Sequence, residues 1–371
     1  MPRFEPFRGL RYSAGPDLSR LACPPYDVID AADRERLAAQ DARNAVHLEM
    51  PIGDDAYRRA AATFNGWRED GSVVQDEPTL YAYRMTPPDS PPTYGYIGAL
   101  GVTDADGLLP HERTTPKARS DRLDLLRATR VNTSPIWALS LAEGLSKLFT
   151  PQEEPIGRAV DGGGVLHEIW PVPEAEAKQI SDLVGDAPAA VADGHHRWET
   201  SRNYLAERSD DPGADRILAL VVELAPDQLE VRPIHRLIGT LPDGMRLPEA
   251  LAPWFKTVDT AQAAIRLLTA EGETGLQALA STESAARLDA DAERVQIALD
   301  ALGVTELTYP HDEDTVRADV AAGKSAAGLL LRPVTIDVIS AAARAGERFP
   351  PKTTFFWPKP LTGFVYRSLD G

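Results

Sequence analysis

Apolar and polar positions along this chain switch between a period of two and a period near 3.6, and the switches outline its elements. Residues 80–85 and 94–102 alternate or run apolar on either side of a proline-rich loop, which predicts a hairpin-like pair of strands. Further strands are expected at 135–141, 165–172, 189–192, 217–224 and 328–331. Helical spacing predicts helices at 30–40, with Asp30 as N-cap and Asp33 at the third helical position, and at 54–69, ending at Gly71. Others fall at 120–130 (Leu123, Leu125 and Leu126 inward), 174–184, 198–208, 313–322 and 336–345. Residues 248–302 are alanine-rich and read as helical, the alanine bias at 259–299 as helix surface. Residues 1–29 are irregular, with Pro24 and Pro25 stiffening an extended segment through Tyr26, Asp27 and Val28. The expected fold class is α/β with a mixed sheet. A break near Pro151 suggests two regions, 1–150 and 151–371, with the first as an N-terminal α/β elaboration.

Composition narrows the function. A formal charge of −17 over 371 residues argues against bare nucleic acid or an anionic membrane as the main partner. Cys23 is the only cysteine, so neither an internal disulfide nor a cysteine zinc site is available, and a reducing cytoplasm fits. The first residues lack the apolar run of a signal peptide, and no window is apolar for long enough to span a bilayer.

The richest chemistry lies at Ala190-Val191-Ala192-Asp193-Gly194-His195-His196-Arg197-Trp198-Glu199. A buried-looking strand stops at Asp193, a glycine turns, and a helix follows. The first-turn amides of a helix have no partner within it and carry a positive field, so an anion is favoured there. Gly194 lets a bulky anion approach the backbone, and His195, His196 and Arg197 add donors. Asp193 is available for a metal or for orienting a histidine. The competing account is a common Asp-Gly turn with surface side chains. Two more polar clusters stand out: His111-Glu112 with neighbouring arginines, and Lys352-Thr353-Thr354 between prolines and an aromatic run. Together the three supply a carboxylate, a phosphate cradle, and a cation with hydroxyls, which is what phosphoryl transfer needs. Glu112 suits a general base if burial raises its pKa; otherwise it is a surface ion pair with Arg113 or Arg119. His235 and Arg236, beyond a strand, are candidates for substrate contact or a satisfied structural pair. No Walker loop and no Gly-x-Gly-x-x-Gly occurs. A metallohydrolase built on His111, Asp193, His195, His196 and His235 lacks the usual ligand spacings.

Pro24-Pro25-Tyr26-Asp27-Val28, His111-Glu112-Arg113-Thr114, the Asp193–Arg197 stretch and Pro233-Ile234-His235-Arg236 together resemble domain of unknown function family 1015, a family loosely described as ParB-like. The Asp-Gly-His-His-Arg-Trp stretch, Pro110-His111-Glu112 and Pro351-Lys352-Thr353-Thr354 also resemble ADP-dependent free-serine kinases of the ParB/sulfiredoxin superfamily. That likeness implies a ParB/sulfiredoxin-like core and a nucleotide-binding region within 151–371. It implies Glu112 as catalytic base, assisted by His111 and Asp193. Phosphate contacts then fall to Gly194, His195, His196, Arg197, Lys352, Thr353 and Thr354; His235 and Arg236 are carried beside them as candidates for substrate binding. The implied ligands are ADP or ATP with Mg2+ and a small hydroxyl-bearing metabolite such as serine. The chain departs from those kinases at Phe355-Phe356, where they carry basic residues, and in its longer N-terminal region. The alternative is a ParB-like nucleotide-binding regulator without phosphotransfer.

Overall fold

The computed structural model describes all residues except 111–116, 152 and 243, and only the backbone at 104, 110 and 117–120. The fold is mixed α/β, and the described residues divide into two units: 1–110, 117–229 and 358–371 form unit 1, and 230–357 form unit 2.

Unit 1 is built on a nine-stranded mixed sheet. Its middle strand, Arg216–Glu223, pairs antiparallel with Thr93–Gly101 and parallel with Ile136–Ser140. Residues 217–222 of this strand are all buried, as a strand covered on both faces requires, which explains their unbroken apolar run. The expected hairpin pair forms between Tyr81–Thr86 and Thr93–Gly101, antiparallel. On the other side, Ala189–Asp193 lies between Ile136–Ser140 and the short strand Leu108–Pro110. The helix Glu174–Gly185 covers part of the sheet with Ala177, Ile180 and Val184, which join Phe4, Leu108 and Ile217 in one core. Strands on both sides of Pro151 share this sheet, so the break expected there lies inside unit 1.

The end of the chain returns to unit 1. Tyr366–Ser368 pairs with Gly9–Tyr12 and Val131–Asn132, and Thr362 exchanges backbone hydrogen bonds with Cys23. Leu369 packs with Leu123, Leu126 and Tyr204. The helix Ala31–Gln40 starts where capping predicts, with the Asp30 carboxylate accepting from the Asp33 amide at 2.8 Å.

Unit 2 carries a six-stranded antiparallel sheet and a separate two-stranded ribbon, Glu230–Pro233 with Thr354–Trp357. It corrects the helical expectation for 248–302, since Phe255–Val258, Ile265–Thr269 and Gly272–Ala278 are strands. Ile265 and Leu267 alternate inward against Leu276, so local period two overrides the alanine propensity around it. Gly275 lets the strands approach closely; a Cβ there would fall 2.6 Å from the Val258 carbonyl oxygen. The helix Asp291–Ala301 is as expected from the composition. Among the described residues, no helix is long and apolar enough to cross a membrane.

Candidate functional site

The strand Ala189–Asp193 is buried as far as Ala192, and its register against Ile136–Ser140 shifts between Val191 and Asp193. That irregularity ends regular pairing and re-aims the Asp193 side chain. Gly194 follows with φ 85° and ψ 27°. A side chain here would be strained by the backbone and crowded as well: a Cβ would sit 3.0 Å from Arg197 Nε, Arg197 Nη2 and Ile136 Cγ2. The helix then runs from His195 to Glu207, so both histidines and Arg197 belong to its first turn. Its N-cap is Gly194, which has no side chain of its own to offer the first-turn amides. The turn therefore has the form expected from the sequence, and its helix begins three residues earlier than the apolar pattern indicates.

Among the described residues, four ionic side chains meet beneath this turn. Arg197 Nη2 donates to Asp193 Oδ2 at 3.2 Å, while its Nη1 donates to Ser134 Oγ at 2.9 Å and the Pro135 carbonyl at 2.6 Å. Ser134 in turn donates to Glu49 Oε1 at 2.7 Å, and Thr133 donates to Glu49 Oε2 at 2.6 Å. Glu49 is fully buried. The Lys359 ammonium donates to Asp193 Oδ1. Carboxylates and cations thus alternate along Glu49, Ser134, Arg197, Asp193 and Lys359, with the hydroxyl as the one neutral link. The side chains of Asp193, Arg197 and Lys359 are each no more than 15% exposed, so their charges act through little solvent.

Burial alone would push the Asp193 carboxyl up; the Lys359 ammonium and then the Arg197 guanidinium outweigh it and hold it well below the usual carboxylate range. Burial pulls the other way on Lys359, but Asp193 and Asp27 raise it. Arg197 is also raised against its burial, by Asp193, Asp27 and Glu49. Asp27 is exposed, on a single helical turn at Tyr26–Val28. The Tyr26 ring lies under the Arg122 guanidinium at 4.3 Å, and burial pushes its phenol up to about 12. A cavity of about 40 Å3 beside Arg197 is lined by Glu49, Ser134, Thr200 and Ser201 among others. Arg197 Nε and Thr200 Oγ1 are buried there without a partner among the described residues.

The sequence candidates thus divide. Asp193, Gly194, His195, His196 and Arg197 form one turn in unit 1. His111 and Glu112 lie outside the described residues. The remaining candidates belong to unit 2. There Arg236 is fully buried; its Nη1 donates to the carbonyls of Ile234 at 2.9 Å and Lys352 at 3.0 Å, and its guanidinium lies 4.9 Å from the Tyr309 ring centre. His235 is buried and accepts at Nδ1 from the Leu331 amide at 3.1 Å, which assigns the proton to Nε2 when the ring is neutral. Burial lowers its pKa. Arg236 therefore pins the backbone of the Lys352 turn. Lys352 is exposed and has φ 59°, a left-handed conformation in a residue other than glycine. Thr353 and Thr354 are buried, and the Thr353 hydroxyl donates to the Pro350 carbonyl at 2.8 Å.

Sequence reasoning missed Lys359 and Glu49. Lys359 lies between two prolines in a tail whose neighbours Leu361, Phe364 and Val365 are all buried; a lone cation in such a segment needs an internal counter-charge. Glu49 ends a short run, Val46-His47-Leu48-Glu49, that looks like an ordinary helix end.

The geometry defines a mixed α/β protein with a strand, a glycine turn and a helix start, backed by a buried ionic cluster. The chain belongs to the family described as proteins of unknown function, DUF1015, whose profile matches residues 4–304. No curated protein matches it in sequence. Among solved structures, a mutant free serine kinase in complex with AMP is similar at 14% identity and a TM-score of 0.43, over 73% of this chain and 90% of that one. SbnI with a C-terminal truncation, from Staphylococcus aureus, is similar at 14% identity and a TM-score of 0.43, over 72% of this chain and 85% of that one. A conserved hypothetical protein from Pyrococcus furiosus is similar at 13% identity and a TM-score of 0.41, over 74% and 96%.

Proposed function

We propose that the protein is a small-molecule kinase that moves phosphate from ADP or ATP to the hydroxyl of free serine or a similar metabolite. The observation that carries this reading is the turn at Gly194: a left-handed glycine opens a 13-residue helix whose first turn holds two histidines and Arg197, with Lys359 paired to Asp193 beside it. A phosphate at such a helix start gains from aligned amides and from the macrodipole, about 0.3–1 kcal/mol from the dipole alone. The two cations are held in place by Asp193, so their positions are fixed before a ligand arrives, and fixed donors lose little on binding. The motif resemblance adds His195 and His196 to the phosphate contacts, and separately Lys352, Thr353 and Thr354. It assigns the hydroxyl proton to Glu112, with His111 beside it in sequence; His235 and Arg236 are added as our own candidates for contact with the acceptor.

Mg2+ fits this chain as a companion of the nucleotide more than as a resident ion. Among the described residues no three His, Cys, Asp or Glu side chains form a metal cage, and both oxygens of Asp193 face cations. Mg2+ commonly binds through one or two carboxylates plus substrate phosphates, and the exposed Asp27 is the residue here suited to add a ligand. Bound, the ion would neutralise charge on the phosphates.

The test is formation of phosphoserine with ADP and with ATP by the wild type and by Glu112→Gln. Turnover that the substitution abolishes supports the reading. No turnover on any hydroxy amino acid, or full activity in the variant, overturns it. A nucleotide-binding regulator is the second reading. It is favoured by the pairing of both cations with Asp193, which suits binding without requiring chemistry, and saturable nucleotide binding with no product would select it.

A further inference from the structure

A second cavity, of about 350 Å3, lies elsewhere in unit 1, where the end of the chain passes residues 5–8 and 212–216. Arg367 lines it and is only 6% exposed. Its Nη1 donates to Asn132 Oδ1 at 3.1 Å and the Arg216 carbonyl at 3.0 Å, and its Nη2 to the Gly213 carbonyl at 3.0 Å. All three acceptors are neutral. No carboxylate oxygen among the described residues lies within ion-pair distance of it, and its Nε has no acceptor there.

The neighbouring carboxylates are already engaged. Glu5 Oε2 accepts from Arg216 Nε at 2.6 Å, Asp370 Oδ1 from Arg130 Nη2 at 2.6 Å, and Asp211 Oδ2 from Arg130 Nη1 at 2.7 Å. Asp215 is shared between Arg3 and Arg216. A buried guanidinium left out of such a set is costly, because its charge is desolvated without a contacting counter-ion. Burial pulls its pKa down to about 10, with Arg216 adding to the fall. Two more arginines, Arg216 and the partly exposed Arg8, line the same cavity, against an apolar wall that includes Phe7 and Leu369. The lining also holds Glu5 and Asp370, but each is engaged by an arginine, and Arg8 pairs with Glu77, which leaves Arg367 as the lining cation without a contacting carboxylate among the described residues.

We propose that this cavity is a binding site for a small organic oxyanion: a carboxylate or phosphate group on Arg367, entering past Arg8, with a compact apolar body against Phe7 and Leu369. The site shares no residue with the turn at Gly194, and the proposal does not depend on the kinase reading. Arg367 supplies a rigid fork suited to a planar carboxylate, and Nε with the second Nη2 hydrogen are the donors left to meet it.

The test uses the full chain and benzoate as probe, with acetate and inorganic phosphate for comparison, by calorimetry at low ionic strength and by mapping backbone amide shifts. Saturable binding of benzoate is expected on the order of millimolar or tighter, and tighter than acetate, with shifts at Gly213 and Leu369. Arg367→Gln is expected to weaken it roughly tenfold or more, and the rim variant Arg8→Glu less than that. Phosphate binding mapped to Gly213 would select the phosphate arm of the same chemistry. Absence of saturable binding by the folded wild type overturns the proposal. So do shifts confined to other parts of the chain, or Arg8→Glu binding as the wild type does. If Arg367→Gln fails to fold, the wild-type map and Arg8→Glu still decide the matter.

Discussion

Replacing Lys359 by methionine keeps most of the side-chain volume and removes one of the two cations that hold Asp193. Breaking a buried pair from one side costs about 3–5 kcal/mol, because the remaining charge stays desolvated. Arg197 still contacts Asp193 Oδ2 at 3.2 Å, so the expected loss is near the lower end, about 3 kcal/mol. Asp193→Asn alone leaves two buried cations facing a neutral amide and costs a similar amount. The double variant removes one charge of each sign, and its loss should fall below the sum of the singles by roughly 2 kcal/mol. Urea unfolding followed by tryptophan fluorescence reads this, since Trp198, on the helix that starts at Gly194, is buried. The pH dependence follows from the direction of each shift. Asp193 is depressed in the folded state, so its contribution is present above its unfolded pKa of about 3.9 and is lost as pH falls through the folded value. Lys359 is raised, so its contribution is present below about 10.4 and is lost as pH climbs through its folded value. The difference between wild type and Lys359→Met should therefore be flat between about pH 5 and pH 10 and shrink below about pH 4. A variant within about 1 kcal/mol of wild type at pH 7, or strictly additive double-variant losses, would refute the reasoning.

Other outcomes follow from single contacts. Gly194→Ala forces an L side chain to φ 85° against Arg197 and should cost about 1–3 kcal/mol by denaturation, with a parallel loss of nucleotide affinity by calorimetry. Arg236→Met removes the donor to the Lys352 carbonyl and should destabilise unit 2 by about 2–3 kcal/mol, with limited proteolysis appearing near residue 352; unchanged cleavage would contradict its pinning role. Cys23 is buried and its thiol is pushed well up by burial, so a thiol reagent at pH 7 should label it only as fast as the protein unfolds.

Much of the architecture was legible because apolar periodicity and caps are local signals. Ile336–Ala345 forms at the expected residues, and Asp30 caps its helix as its spacing from Asp33 implies. The alanine-rich stretch misled because alanine propensity is weak beside the cross-strand packing of Ile265, Leu267 and Leu276. The turn from Asp193 to Arg197 could be read in full, since glycine, helix start and basic residues are contiguous. Lys359 could not, because it reaches Asp193 only through a tail that returns to unit 1 after the whole of unit 2. Glu49 was hidden for the same reason: Thr133 and Ser134, which bind it, lie some eighty residues on. Contacts of that kind are made by topology and leave no local trace.

A phosphate docking where the helix opens at Gly194 is tested most directly by a crystal structure with bound ADP. The expected result is a phosphate oxygen within about 3 Å of a backbone amide among residues 195–197, with Arg197 or Lys359 as a charged neighbour. ADP bound with its phosphates away from that turn, or no ADP bound at saturating concentration, would contradict it.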